Sequence, residues 1–519
     1  MSPIGGAHDE DDHDRCARRN ARSRSGGSDR GRTLRVAVVG GSDAGIEAAR
    51  RCRELDPSIE VTVLVADSHP NLSICGLPYW HSRHVRDWRS LAHRSVGDLE
   101  ATGMRLLLDH EVTALNLDAR IVEFRHSAAT GELAFDRLIL GTWAHPVRPP
   151  ITGLANLGPV DGVHVLHTMP DAFALDDTIS RATTETEAGA PPVATAAIIG
   201  AGYVGLEMAE ALTVRGLRVV VLEQLPRVLP RTLDADLAAD VETHLRRKGV
   251  EVGCGTAVRA IERADPAARL SVDLGGERLA ADTVLVATGV RPSTELAVAA
   301  GLKLGAAGAL AVDRQMQTSA EGLWAAGDCV HTHHRITGET YLPLGTTAHK
   351  QGRVAGENVL GGNVEYAGSL GTQSVKIFDL VAAATGLRDD QARDAGFDPV
   401  TVLVTVDDHK RYYPGATQLR VRLTGDRATG RLLGGQLLGA YGAEISKRVD
   451  VLATAIHHGE TVTDLSDLDL SYTPPLSSPW DPLQQAAHAW ATHLRRPRNG
   501  DPSRPPEQSG PPSLGAEVE

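Results

Sequence analysis

Ala196-Ala-Ile-Ile-Gly200-Ala-Gly202-Tyr203-Val-Gly205-Leu-Glu207, followed by Arg218-Val-Val-Val-Leu-Glu223, is the stretch on which the reading of the fold turns. A short apolar run enters a tight glycine turn, the turn opens a helix, and a second apolar run ends on an acid. This order spells a strand–turn–helix–strand unit that binds a dinucleotide. Gly200 permits the sharp turn, Gly202 lets the backbone approach a pyrophosphate, and Gly205 lets the helix lie close on the strand. The amides and dipole at the helix start favour the anion. Glu223, about twenty residues beyond the first glycine, is placed to accept the hydroxyls of an adenosine ribose.

The same pattern stands earlier in the chain. Leu34-Arg-Val-Ala-Val-Val39 runs into Gly40-Gly-Ser42-Asp-Ala44-Gly45, with Ser42 in place of the second glycine. The position that matches Glu223 by count is Val65, which cannot bond a ribose; Asp67, two residues on, is the nearest carboxylate and the candidate there. One such glycine turn is weak evidence, but two, each after a strand, are strong. Two more segments belong with them. Ala280-Ala-Asp-Thr-Val-Leu-Val-Ala287-Thr-Gly289-Val-Arg-Pro292 is a strand ending in a tight turn, of the kind that returns the chain to the first domain. Gly322-Leu-Trp-Ala-Ala-Gly327-Asp328-Cys329 is another buried strand, whose terminal carboxylate could bond hydroxyls of a bound cofactor; Cys329 itself is read as a packed thiol.

Working outward, 519 residues with 42% hydrophobic content suffice for two or three domains. Net charge −13 argues against nucleic acid or an anionic membrane as a main partner. The five cysteines show no CxxC and no regular spacing, so neither a disulfide framework nor a metal site is expected. No apolar run approaches the roughly 20 residues of a membrane span, and no signal-peptide core opens the chain, so a cytoplasmic location is expected. Residues 1–32 and 491–519 are polar, charged or Pro/Gly/Ser-rich and read as disordered tails. Between them, strand-like and helical patterns alternate, as in a parallel α/β fold. The stretch from about 370 to 490 differs: Val400–Val406 and Gln418–Leu423 alternate as half-buried strands and Val449–Ile456 reads as an amphipathic helix, without a cofactor motif.

Cys75 stands in Pro70-Asn-Leu-Ser-Ile-Cys75-Gly-Leu-Pro-Tyr79, shortly after the second strand of the first unit. No second cysteine stands at disulfide-motif spacing, so Cys75 would act as a single redox thiol. Gly-Leu-Pro after it is a plausible helix start, whose dipole is expected to lower the thiol pKa.

Together these segments resemble the class of pyridine nucleotide-disulfide oxidoreductases, in its single-cysteine branch of coenzyme A disulfide reductases, NADH oxidases and peroxidases, and persulfide or polysulfide reductases. The resemblance covers about residues 34–490. It also includes Leu344-Gly345-Thr346-Thr-Ala-His-Lys-Gln-Gly-Arg-Val-Ala-Gly356, His409-Lys-Arg-Tyr412-Tyr-Pro-Gly-Ala and Leu470-Ser-Tyr472-Thr-Pro-Pro. It implies two Rossmann-like domains, the FAD domain (33–155 and 283–362) interrupted by an NAD(P)H domain (156–282), and a C-terminal α+β dimerisation domain (363–490). FAD would be held by Gly40, Ser42, Ala44, Gly45, Asp67, Thr142, Gly289, Gly327, Asp328, Gly345 and Thr346. NADH, with NADPH as the alternative, would be held by Gly200, Gly202, Gly205 and Glu223, with Tyr203 gating the nicotinamide pocket and Glu207 orienting it. Cys75 would be catalytic, with Tyr412 and Tyr472 arriving from the other subunit of a homodimer. The implied reaction is reduction of a small disulfide, persulfide or polysulfide. The alternatives are an oxidase or peroxidase acting through a Cys75 sulfenic acid, or a flavoprotein that passes electrons to a protein partner.

The sequence departs from that pattern in several places. The oxidases and peroxidases carry a histidine inside the first glycine turn, where this chain has Asp43. Coenzyme A disulfide reductases have Asn before the cysteine, where Ile74 stands, a basic residue where Trp480 stands, and an arginine where Glu54 stands, although Arg50, Arg51 and Arg53 adjoin it. The Ala-Thr-Gly turn of the first domain reads Gly141-Thr142-Trp143.

Overall fold

The computed structural model describes residues 32–184, 194–264 and 269–495. Nearly all of the two segments read as tails, 1–31 and 496–519, lies outside the described residues. Each glycine turn is seated in a five-stranded parallel sheet. The first has the order Leu323–Ala325, Arg137–Leu140, Arg35–Val39, Glu60–Leu64, Arg105–Leu107. The second has the order Glu251–Cys254, Arg218–Glu223, Thr195–Ile199, Thr283–Val286, Val163–His164. Thr195–Ile199 is buried at every position, as a strand covered on both faces must be.

The chain leaves the first sheet after Arg137–Leu140, builds the second, and returns to place Leu323–Ala325 on the first sheet's edge. The first domain is therefore interrupted by the second. Ala144–Pro146 on the way out pairs antiparallel with Val290–Pro292 on the way back. Each domain also carries a three-stranded antiparallel sheet, Glu111–Asn116 with Ile121–His126 and Ala129–Ala134 in the first, Ala260–Ala264 with Arg269–Asp273 and Arg278–Ala281 in the second.

The helix Gly345–Asn358 crosses the helix Asp43–Leu55 at backbone contact. A Cβ on Gly352 would stand 2.3 Å from the Ala44 carbonyl oxygen, and one on Gly356 2.4 Å from that of Ala48. The small residues of the Leu344–Gly356 segment exist to permit that approach, which pins Gly345–Asn358 to the first glycine turn.

The C-terminal domain is a five-stranded antiparallel sheet covered by the helices Ile445–His458 and Pro482–Arg495. Its order is Gln373–Ile377, Leu380–Gly386, Leu432–Ala440, Gln418–Asp426, Pro399–Asp407. Arg422 ties it to the second domain through Asp234 and Asp236. The architecture is thus α/β, two Rossmann-like domains plus a C-terminal α+β domain. No described helix is long and apolar enough to cross a membrane.

Candidate active site

The two glycine turns are built alike. Gly40 (φ +116°) and Gly200 (φ +108°) lie in backbone space that L side chains avoid. A Cβ on Gly45 would sit 2.0 Å from the Gly40 carbonyl oxygen, and one on Gly205 2.0 Å from that of Gly200. Ser42 (φ −92°, ψ −170°) and Gly202 (φ −79°, ψ −170°) share an extended conformation open to any residue. The serine therefore costs nothing in backbone strain; it only narrows the approach of a ligand.

A cavity of about 560 Å³ opens at the first turn, within the range of ligand sites. It is lined by Gly40, Ser42, Asp67, Asn71, Thr142 and Trp143, among others, and reaches Ile74, the neighbour of Cys75. Asp67 accepts the amide of His69 at 2.8 Å, and Thr142 donates to the Ser293 carbonyl at 2.9 Å. The Asn71 side-chain amide is buried with neither atom hydrogen-bonded, an arrangement that costs about 1–3 kcal/mol unless a ligand completes it. Its backbone amide donates to Gly41 at 2.8 Å, fixing it against the turn. Glycine turn, acid and orphaned amide around a cavity of this size fit FAD. Ala44 is buried in the first helix, and Gly327 (φ +87°) packs against it. Burial and the neighbouring Asp43 push the Asp328 carboxyl up to about 7. Gly345 opens its helix with Asp43 3.3 Å from where a Cβ would stand, and Thr346 follows it at the surface.

Cys75 lies in the short turn Ile74–Gly76, ahead of the helix Leu77–His81. The expected lowering of its pKa is overturned. That helix is only five residues long. Cys75 is solvent-accessible, yet the protein packed round its sulfur, then the carboxylates of Glu207, Asp43 and Asp328, push the thiol above its ordinary range. The dipole of a helix under two turns long does not outweigh desolvation plus three carboxylates. Of the other described cysteines, Cys52 and Cys329 are buried, with burial pushing Cys52 up to about 12, and Cys254 ends a strand of the second sheet.

The second domain meets Cys75 through the helix of its glycine turn, Tyr203–Val214. Tyr79 donates to Glu207 at 3.2 Å, and burial pushes the Glu207 carboxyl up to about 7. One turn on, Glu210 accepts Lys376 and the Phe378 amide of the C-terminal domain. One helix face thus joins three domains. Tyr203 stands half-buried at the start of that helix, against the domain's core. Glu223 accepts the amides of Ala201 at 2.9 Å and Leu225 at 2.8 Å, one on each oxygen, which orients the carboxylate and leaves further lone pairs. Gly289 (φ +99°) supplies the left-handed turn of the crossover; Trp143, in the matching turn of the first domain, adopts φ +69° despite its side chain and packs on His167 at 4.6 Å.

Tyr412 and Tyr472 come together, the Lys410 amide bonding the Pro474 carbonyl between their two segments. Both are exposed, and among the described residues no contact joins either to Cys75 of the same chain. Sequence reasoning missed Asn71, Glu210, Lys376 and Gln351, whose side chain takes the Gly327 amide at 2.9 Å. It also missed His93 and His349, which stand 4.0 and 3.8 Å from Asp43.

Residues 34–352 match the model of the pyridine nucleotide-disulphide oxidoreductase family, and residues 372–482 match its dimerisation domain. The chain is 34% identical over 450 residues to an NAD(P)H sulfur oxidoreductase (CoA-dependent) of Pyrococcus furiosus, covering 86% of this chain and 97% of that protein. It is 32% identical to an NADH oxidase of Methanocaldococcus jannaschii, covering 88% and 98% respectively. Among solved structures it resembles an NAD-dependent persulfide reductase from A. fulgidus, with TM-score 0.83 and 36% identity over 89% of this chain and 83% of that one.

Proposed function

The chain belongs to the pyridine nucleotide-disulphide oxidoreductase family, and from that premise we propose that it reduces a small disulfide, persulfide or polysulfide at Cys75 with electrons from NADH. The balance is NADH + H⁺ + R–S–S–R′ → NAD⁺ + RSH + R′SH, a persulfide giving thiol and hydrogen sulfide. Bound FAD would supply the relay between nicotinamide and sulfur. The chain's own part begins when the Cys75 thiolate attacks one sulfur of the substrate, forming a mixed disulfide and expelling the other sulfur as a thiolate. Two electrons then cleave the mixed disulfide and restore Cys75.

The carrying observation is Cys75 itself, an accessible thiol next to Ile74 of the cavity wall, whose segment is bridged to the nucleotide-binding helix by the Tyr79–Glu207 hydrogen bond. Two features disfavour coenzyme A disulfide as the substrate. Glu54 stands at the position of the coenzyme-gripping arginine, and it pairs with Arg50, Arg51 and Arg353. Those cations are therefore engaged with carboxylates rather than free for phosphate. The exposed apolar Tyr412, Tyr472, Leu476 and Trp480 of the C-terminal domain suit burial in a homodimer. The free described cysteines suit a reducing, cytoplasmic setting.

Replacing Cys75 by Ser tests the reading. Hydride transfer needs no thiol, so the variant keeps FAD and is reduced by NADH at the wild-type rate. Its turnover of polysulfide and glutathione disulfide falls by about two orders of magnitude or more. Unchanged turnover with every sulfur acceptor would refute the proposal. Oxygen or peroxide reduction is the second reading, favoured by the imidazoles of His93 and His349 beside Asp43. NADH consumption measured with oxygen, peroxide and sulfur acceptors in parallel separates the two.

A further inference from the structure

We propose that Asp43, His93 and His349 form a site for one divalent transition-metal ion of the zinc class, on the same side of the cleft as Cys75. Nothing in the spacing of these residues along the chain suggests it. Asp43 opens the helix Asp43–Leu55, His93 lies in the loop after Trp88–Leu91, and His349 rides on the helix Gly345–Asn358. The backbone contact between the two helices holds Asp43 and His349 together. His93 is fixed by its amide, which donates to the Asn71 carbonyl at 2.9 Å.

The geometry is that of a gap ringed by donors. The Nε2 atoms of His93 and His349 stand 4.0 and 3.8 Å from Asp43 Oδ1, and one ligand atom from each residue lies within 4.8 Å of the others. An imidazole–carboxylate hydrogen bond would close to about 2.7–2.9 Å; neither histidine has closed it. Zinc bonds of about 2.0–2.2 Å place tetrahedral ligand atoms roughly 3.4 Å apart. Closing the ring from separations of up to 4.8 Å to that spacing takes a combined movement of up to about 1.4 Å, easiest at the half-exposed His93 side chain.

One orphaned atom points the same way. Asp43 Oδ1 is buried without a hydrogen-bond partner. No nearby arginine neutralises Asp43, because Arg50 and Arg94 pair with Glu47 instead. A buried carboxylate oxygen lacking donor and counter-charge is expensive, and a cation between it and the imidazoles removes both deficits. Two histidines and a carboxylate suit zinc, cobalt(II), nickel(II) or iron(II) rather than calcium or magnesium. Three protein ligands leave a fourth position open. Asp43 is also one of the carboxylates close enough to be felt by the Cys75 thiol.

The test is calorimetric titration of the FAD-loaded, full-length protein with zinc chloride, alongside thermal melting with and without zinc. The proposal expects one equivalent per chain and a zinc-dependent rise in melting temperature. His93→Gln, His349→Ala and Asp43→Asn should each weaken binding at least tenfold and abolish the rise. Cys75→Ser and the double change His8→Ala/His13→Ala, in the histidine- and acid-rich N-terminal stretch, should leave both unchanged. His93→Gln lies at the surface, so it carries the test if either of the other two disturbs folding or FAD content. Absence of a stoichiometric equivalent, or binding that survives His93→Gln but not the Cys75 or N-terminal changes, overturns it. Loss of sulfur reduction in Cys75→Ser with zinc binding retained keeps this inference separate from the fate of the proposed function.

Discussion

Glu207 is where the nucleotide half of the cleft meets the thiol half, and its protonation couples them. Burial holds its carboxyl up to about 7, against an ordinary value near 4.3. Between those values the unfolded chain has lost the proton while the folded chain keeps it, so the unfolded state binds fewer protons and stability falls as pH rises. Glu207→Gln keeps an acceptor for Tyr79 and removes the titration. The variant is therefore expected to gain stability over wild type progressively from pH 5 to pH 8, on the order of 2–3 kcal/mol, read as a growing difference in melting temperature. A difference between the two proteins that stays constant across that range would show that Glu207 does not titrate this way. The chemistry at this scale was only half legible. Cys75 announced itself because it is a lone thiol in a recognisable run, but its electrostatics did not. The sign of the shift depends on Glu207, Asp43 and Asp328, which reach the sulfur from three separate parts of the chain. Reading forward from Gly76 saw only the local helix.

Strand, turn and helix form the scale at which the sequence speaks most clearly, because the glycine fingerprint of each turn and the acid that follows it lie within about 25 residues. Gly205 over Gly200 and Gly45 over Gly40 are contacts of residues five apart. Ser42 looked like a defect and is conformationally neutral. Trp143, the other departure in a glycine position, is the converse, held in left-handed backbone at φ +69°, with its ring against His167 as the visible compensation. The second unit also decides between nucleotides. Glu223 is nearly buried at the strand end, its carboxylate aimed by the Ala201 and Leu225 amides. Arg227, the cation close enough in sequence to welcome a 2′-phosphate, spends its guanidinium on the carbonyls of Leu233 and Pro230. A carboxylate facing a phosphate repels it, whereas it bonds the free hydroxyls. NADH is accordingly expected to surpass NADPH at least roughly tenfold in kcat/KM, about 1.4 kcal/mol, and Glu223→Ala to narrow the gap. Equal efficiencies in the wild type would mean that Arg227 or another cation swings in.

Across the whole molecule, the C-terminal domain is fastened to the nucleotide-binding helix. Lys376 and the Phe378 amide hold Glu210, while Arg422 holds Asp234 and Asp236. Tyr412 and Tyr472 of that domain face outward, at 74% and 43% exposure, beside Leu476 at 70% and Trp480 at 54%. An apolar surface of that kind on a domain matching a dimerisation model is best explained by a second copy of the chain. If the tyrosines then reach the partner's Cys75, each hydroxyl could donate to the departing sulfur anion, a contribution of about 1–3 kcal/mol. Losing either one would cost roughly five- to 150-fold in turnover, and losing both more. The decisive measurement pairs a Cys75→Ser chain with a Tyr412→Phe/Tyr472→Phe chain and isolates the mixed dimer. Shared sites concentrate every lesion in one site and leave the other whole, so the mixed dimer should work at about half the wild-type rate and exceed both parents. Tyrosines that serve their own chain would leave a lesion in each site, and the mixed dimer would show only the mean of its parents. The dimer matters to this chain only on the first outcome, because only then is a single folded copy chemically incomplete.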